Sequence, residues 1–245
     1  MLNGLDLFSG IGGLTIALSE WVKPIAYCEI DSYCQAVLLR HVFSGDIPEA
    51  PIWDNVETLS SKELPFSIDI IYGGFPCQDI SIAGLGKGLA GKRSGLFLEI
   101  IRLAKEIKPT FIFLENVPAI TSRGGLQIVS EVAEMGYDCR WCVISAASIG
   151  AKHERQRWFL LAHANIESRI RLSSGKKKKQ SVFRKCSESK EWHEWPKNES
   201  PLLGMYHGIS TRLDRTRALG NAVVPQQAKE AFKILMGIKN GTESK

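Results

Sequence analysis

The chain has 245 residues, with 31 Lys and Arg against 26 Asp and Glu for a formal net charge of +5, 44% hydrophobic and 23% charged residues, and six cysteines. That composition excludes collagen, coiled-coil and disordered classes. The length suits one large domain, or a domain with a small appendage, burying roughly 70% of the unfolded surface. No apolar run approaches the roughly 20 residues that span a bilayer, and the start MLNGLDLFSG lacks a signal peptide's basic and apolar regions. A cytoplasmic protein is expected, with thiols rather than a disulfide framework and no membrane partner.

Residues 1–163 alternate short apolar runs with amphipathic stretches, which predicts parallel strands joined by helices. Strands are expected over residues 5–8, 24–29, 68–73, 110–115, 139–145 and 157–163, and helices over 13–21, 31–41, 96–107 and 125–135. Parallel strands need crossovers that cover both faces, so ligand sites belong at the strands' carboxyl ends. After His163 the texture turns polar and basic, with Lys176, Lys177, Lys178 and Lys179 in succession and no period of either kind. Helical character returns over 213–219 and 224–236. The charge divides the same way: residues 1–163 hold 14 basic and 18 acidic side chains, residues 164–200 hold 10 and 5, and residues 201–245 hold 7 and 3.

The first strand runs into Gly10-Ile11-Gly12-Gly13 and then a helix. Glycines let the backbone turn tightly and let a ligand approach without a Cβ in the way. The spacing is not that of a dinucleotide fold, and no basic residue follows to hold a phosphate. Glu29, about twenty residues on, ends the second strand where an acid can bind ribose hydroxyls. Asp54 follows the next segment, where it can accept from an adenine amino group. A ribose, an adenine and no phosphate suggest S-adenosylmethionine. Taken singly, the glycines also suit any tight strand-to-helix turn, and Glu29 also suits a solvated acid.

The strand at 68–73 leads into Gly74-Phe75-Pro76-Cys77-Gln78, and the strand at 110–115 ends in Glu115-Asn116-Val117. A cysteine held by a proline at a strand's carboxyl end is a candidate nucleophile, and Glu115 reaches the same rim. A buried structural cysteine and a helix-capping acid are the alternatives. Cys139-x-x-Cys142 has zinc-like spacing without a second ligand pair, so no metal site is expected. Cys28 and Cys34 read as packing residues, and His153 as an interfacial histidine.

Together with Arg155-Gln156-Arg157 and Gly220-Asn221-Ala222-Val223-Val224-Pro225, these motifs span residues 4–236 in an order that closely resembles the cytosine-C5 DNA methyltransferases. The resemblance implies a Rossmann-like, S-adenosylmethionine-dependent α/β fold, with a mostly parallel sheet, helices on both faces and a short recognition insertion. It divides the chain into a cofactor-binding and catalytic domain (1–163), a basic target-recognition insertion (164–211) and a C-terminal segment returning to the first domain (212–245). It makes Cys77 the nucleophile toward C6 of a flipped-out cytosine, Glu115 the partner of N3 and the exocyclic amine, and Arg155 and Arg157 donors toward O2. It assigns Phe8, Gly10, Gly12, Gly13, Glu29, Asp54 and Asn221 to the cofactor, and double-stranded DNA as the substrate.

Gln78, Ser81, Lys176 to Lys179 and Arg212 are the expected DNA contacts, although a lysine run is also what a solvated loop carries. Trp192 and Trp195 suit either a base-step wedge or a small local core. Only about fifty residues separate His163 from Arg212, fewer than the family usually devotes to target recognition. That shortness leaves open a partner chain for recognition; the ring chemistry does not itself choose the sugar, which leaves open RNA as substrate, and a cognate restriction endonuclease is a further possible partner.

Overall fold

The computed structural model of the chain describes residues 1–76, 95–165, 218 and 220–238. Within them, β1 (Leu2–Leu7), β2 (Val22–Cys28), β3 (Ile52–Trp53), β4 (Ile70–Gly74), β5 (Phe111–Asn116), β6 (Tyr137–Ser145) and β7 (Gln156–Ala164) form a sheet in the order β3-β2-β1-β4-β5-β7-β6. The helices are α1 (Gly13–Leu18), α2 (Ser32–Ser44), α3 (Gly95–Ile107), α4 (Ile120–Arg123), α5 (Gly125–Glu134) and α6 (Pro225–Met236). Residues 166–211 of the expected recognition insertion, and all of the helix expected over 213–219 except Ala218, lie outside the described residues.

From β3 to β5 the sheet is parallel, and β7 runs antiparallel to both β5 and β6. The sheet is therefore mostly parallel, as expected, with β7 the one strand that runs against its neighbours. Residues 146–155 alone join β6 to β7, with one 3-10 turn at Ala147–Ile149. That is too short for a crossover of a dozen or more residues, so the chain turns back on itself. As a result β7 begins at the rim where the parallel strands end, and Asn116 at the end of β5 pairs with Trp158 near the start of β7.

The central strands bury both faces, with side chains alternating between two cores. Ile71, Ile112, Leu114, Trp158 and Leu160 pack with Phe97, Ile100, Ile128 and Val132 of α3 and α5. Ile70, Tyr72, Phe113, Phe159 and Leu161 pack with Leu14 and Leu18 of α1 and Ala228, Ala231, Phe232 and Leu235 of α6. Phe113 sits at the centre of the second core, edge-on to Phe232 at 5.2 Å and stacked on Phe159 at 5.9 Å. Such aromatic pairs add about 0.5–1.5 kcal/mol each beyond their buried area.

Boundaries moved where local chemistry outweighs periodicity. β2 starts two residues before the expected position and carries Pro24 inside it. The β1–β2 register shifts between Gly4 and Leu5, and β3 pairs only with Tyr27 and Cys28, so Pro24 stands at a bulge beyond β3's reach. A proline is tolerated in a strand under those conditions. In α2, Asp31 accepts from the backbone N–H of Tyr33 and Cys34, and the helix runs to Ser44, three residues past the expected end, where Gly45 closes it at φ 78°. Pro225 occupies the first turn of α6 and Gly237 ends it at φ 72°. No helix among the described residues is long and apolar enough to cross a membrane.

Candidate active site

The strand order reverses direction of travel between β1 and β4, and in an α/β sheet the crevice beside such a switch is where ligands bind. On the β1 side the chain passes through left-handed conformations at Phe8 (φ 56°), Gly10 (φ 54°) and Gly12 (φ 87°). A Cβ on Gly10 would meet nothing within 4 Å, so the turn is open on that side. Phe8 has no such freedom. A bulky residue at positive φ stores about 1–3 kcal/mol of strain, of the kind that clusters at ligand sites.

Glu29 is buried at the end of β2 and fastens this turn. Its Oε2 accepts from the Gly10 N–H at 2.7 Å and its Oε1 from the Asp31 N–H at 2.8 Å. Each oxygen keeps a second lone pair for a donor such as a ribose hydroxyl. Its own N–H donates to the Trp53 carbonyl at 2.9 Å, which sets Asp54 alongside at the end of β3. The predicted residues Phe8, Gly10, Gly12, Gly13, Glu29 and Asp54 thus share one rim. Ile30 stands there as well, 76% exposed, and sequence reading passed over it because a lone isoleucine after an acid carries no pattern.

Beneath the turn lies Asp6, fully buried. The Thr15 hydroxyl donates to its Oδ2 at 2.7 Å and lies 2.9 Å from the Tyr72 hydroxyl, while Oδ1 has no partner. Burial pushes its carboxyl up to about 8, with Glu29 adding to the shift against the hydrogen bonds from Thr15 and Ser9. Asp6 is therefore mostly neutral at pH 7.

On the other side of the switch stands Glu115, 7% exposed at the end of β5. Its Oε1 is 2.7 Å from Nε of Arg157. Burial pushes Glu115 up to about 7, against the pull of Arg157 and then Arg155. Two residues not singled out from the sequence shape this position. A Cβ on Gly74 would stand 2.9 Å from Glu115 Oε2, so glycine there makes room for the carboxyl. Asn116, buried, donates from Nδ2 to the Phe75 carbonyl at 2.9 Å and accepts from the Val117 N–H at 2.8 Å. It thereby ties the end of β5 to the residues just before Cys77. The Phe75 ring lies 5.6 Å from that of Phe97 in α3, which draws together the two ends of segment 77–94. The doublet Gly73-Gly74 and the asparagine beside the acid were the available signals.

The paired arginines divide their contacts. Arg157 holds Glu115, whereas Arg155 Nη2 donates to the carbonyls of Gly220 and Ala222 at 2.7 and 2.8 Å. Those carbonyls flank Asn221, whose side chain is exposed. Cys77, Gln78, Ser81, Lys176, Lys177, Lys178, Lys179 and Arg212 lie outside the described residues, as do Trp192 and Trp195. Cys28 is buried and its thiol is pushed up to about 12, chiefly by burial, as is that of Cys139. Both behave as packing residues, and no group of three or more metal-ligating side chains occurs among the described residues.

The sheet thus carries a glycine turn and an acid on one side of its switch point and an arginine-held glutamate on the other. The family described as C-5 cytosine-specific DNA methylase matches residues 2–203. The type II methyltransferase M.CviJI of Paramecium bursaria Chlorella virus IL3A is 34% identical over 231 residues, covering 93% of this chain and 58% of that protein. M.HhaI of Haemophilus parahaemolyticus is 32% identical over 169 residues, 67% of this chain and 50% of its own. In three dimensions a DNMT2 variant of Spodoptera frugiperda aligns with a TM-score of 0.58 at 20% identity, over 78% of this chain and 56% of that one. The chain belongs to the C-5 cytosine-specific DNA methylase family, and it spans between about half and three fifths of the length of these relatives.

Proposed function

We propose that the chain transfers a methyl group from S-adenosylmethionine to C5 of cytosine in double-stranded DNA. The observation that carries the reading is the buried Glu115 held by Arg157 through one oxygen, with its carboxyl pushed up to about 7.

C5 of cytosine is a poor nucleophile. Addition of the Cys77 thiolate at C6 converts the ring to an enamine, and that addition is driven by protonating or hydrogen-bonding N3. Glu115 suits this role because an acid with a pKa near the working pH both holds and releases its proton. With Oε1 occupied by Arg157, the proton belongs on Oε2, beside Gly74. The guanidinium of Arg157 also fixes the carboxyl and supplies N–H donors toward O2 of the ring. The enamine carbon takes the methyl group, and loss of the C5 proton then expels sulfur, leaving 5-methylcytosine and Cys77 as before.

The open glycine turn, the acid with free lone pairs, the neighbouring Asp54 and the absence of a basic residue in the turn fit an adenosine ligand without phosphates. S-adenosylmethionine, bound there, supplies the electrophilic methyl sulfonium. Phe8 and Ile30 offer apolar surface to the adenine, and Glu29 accepts from the ribose. A target base within a duplex must leave the stack to reach Cys77, at a cost of a few kcal/mol. Gln78, Ser81, Lys176 to Lys179 and Arg212 are the proposed DNA contacts, with each phosphate neutralised steepening the salt dependence by about 0.9 log unit per log unit of salt.

The test is transfer of a labelled methyl group to duplex DNA by the isolated chain. Cys77→Ser is expected to abolish transfer. Glu115→Gln, which keeps the hydrogen bonds but cannot move a proton, is expected to lower kcat by about 10²–10⁴-fold. Undiminished transfer by Cys77→Ser would sink the mechanism. Preference for RNA over a matched DNA duplex would move the substrate, and activity only with a second polypeptide present would make recognition a shared task.

A further inference from the structure

The segment that returns from the C-terminal side is gripped from two directions. Arg155 Nη2 donates to both Gly220 O and Ala222 O, so one guanidinium nitrogen spans the residue between them, Asn221. The main chain of Arg155 is itself fixed. Its carbonyl accepts from the Ala146 N–H at 3.0 Å and from Nε2 of Gln227 at 2.6 Å. Gln227 is fully buried in the first turns of α6, and its Nε2 also donates to the Ile144 carbonyl at 2.7 Å. Arg155 therefore binds the segment before α6 with its side chain, while α6 binds Arg155 by its backbone.

The opposite side of that segment rests on the glycine turn. A Cβ on Gly13 would stand 3.0 Å from the Val223 carbonyl oxygen, so a glycine is needed for the two backbones to touch. Residues 220–224 thus lie between the turn that ends β1 and the start of β7. Arg157, two residues along, faces the other way and holds Glu115. The two arginines, one motif in the sequence, serve different parts of the cleft.

We infer that Arg155 is a positioning residue for cofactor binding: by fixing Gly220 and Ala222 it sets Asn221 against the glycine turn, whereas Arg157 serves the base. The inference rests on the reading of that turn as the S-adenosylmethionine site. It departs from the expectation that both arginines point at cytosine O2. A lysine is an imperfect replacement here, because its ammonium ends a shorter, more flexible stem than the planar guanidinium whose Nη2 reaches both carbonyls.

The test is isothermal titration of S-adenosylmethionine into the full chain, free of DNA, with circular dichroism and melting temperature as checks of fold. Arg155→Ala is expected to weaken binding at least tenfold and Arg155→Lys by less. Arg157→Ala is expected to stay within twofold while its methyl transfer falls. If Arg155 acts through Asn221, the Arg155→Ala, Asn221→Ala double variant binds no more weakly than the poorer single variant, since residues in one chain of contacts are not additive. Should Arg155→Ala not fold, Arg155→Lys carries the comparison. Binding within twofold of wild type in both Arg155→Ala and Arg155→Lys, or additive losses in the double variant, overturns the assignment. A wild-type chain that takes up no S-adenosylmethionine overturns the cofactor reading itself and this assignment with it.

Discussion

Glu115 owes its position to a missing side chain. With Oε2 only 2.9 Å from where a Gly74 Cβ would stand, Gly74→Ala must push the carboxyl, the Arg157 guanidinium or the end of β4. Overpacking of this kind costs typically about 1–3 kcal/mol. Since the ion pair is buried, the cost falls on the site. Gly74→Ala is expected to melt within a few degrees of wild type and to lose methyl transfer by about tenfold or more, as measured by initial rates alongside a thermal melt. Normal activity in a normally folded variant would show that the carboxyl's place is not critical. The pH profile belongs to the same residue. Burial pushes Glu115 up to about 7, and in the proposed mechanism its protonated form is the one that donates to N3. The rate kcat/KM is therefore expected to fall above about pH 7 in wild type, and this alkaline limb is expected to be absent in Glu115→Gln.

At the level of elements, the site depends on one strand running against the rest. Because β7 is antiparallel, Arg155 and Arg157 at its beginning meet Glu115 at the end of β5. A parallel β7 would put them at the far edge of the sheet. The hydrophobic pattern of residues 157–163 could not reveal this, since a strand buried on both faces reads the same in either direction, and only the brevity of residues 146–155 hinted at it. By contrast β4, β5, α3, α5 and α6 were legible because their apolar patterns are clear in the sequence. Glu115, the acid of the proposed mechanism, was legible from its place at a strand's end. What surrounds it was less so: Gly74 makes room for the carboxyl, Asn116 ties its strand to Phe75 and Gln227 fixes Arg155, across 41 to 83 positions of sequence, and local pattern carries no such information. Asn116 offers the clearest check. Asn116→Ala removes the bond to the Phe75 carbonyl and leaves a buried acceptor unpaired, worth about 1–3 kcal/mol. Its expected signature is slower covalent capture of a mechanism-based cytosine analogue by Cys77, with S-adenosylmethionine affinity unchanged. Equal losses in both would mark a general loosening instead.

For the molecule as a whole, two buried acids make stability depend on pH. Asp6 rises from 3.8 to about 8 and Glu115 from 4.5 to about 7, so between those values the folded state binds more protons than the unfolded one. Stability from these groups is fully present below about pH 4 and is lost as pH rises through about 7 and 8. Asp6→Asn keeps the bond from Thr15 and cannot ionise. Melting temperatures measured from pH 5 to 8 are expected to fall less steeply in this variant than in wild type, and parallel curves would mean that Asp6 is not the group responsible. The two cores divide the chain unequally in the same global sense. One face of the sheet is covered from residues 1–165, while the other needs α6, whose Phe232 fills the space beside Phe113. Between β7 and α6 the chain leaves at Asn165, whose N–H is held by the Gly136 carbonyl, and returns at Gly220, whose carbonyl is held by Arg155. Both banks of that gap are anchored to the sheet. The entropy of closing a loop grows only by about 0.6 kcal/mol for each doubling of its length, so the span between the banks can be lengthened, shortened or exchanged at little thermodynamic cost. On the proposed reading, in which that span carries target recognition, Arg155 marks a splice junction where new specificities would be grafted between two fixed ends.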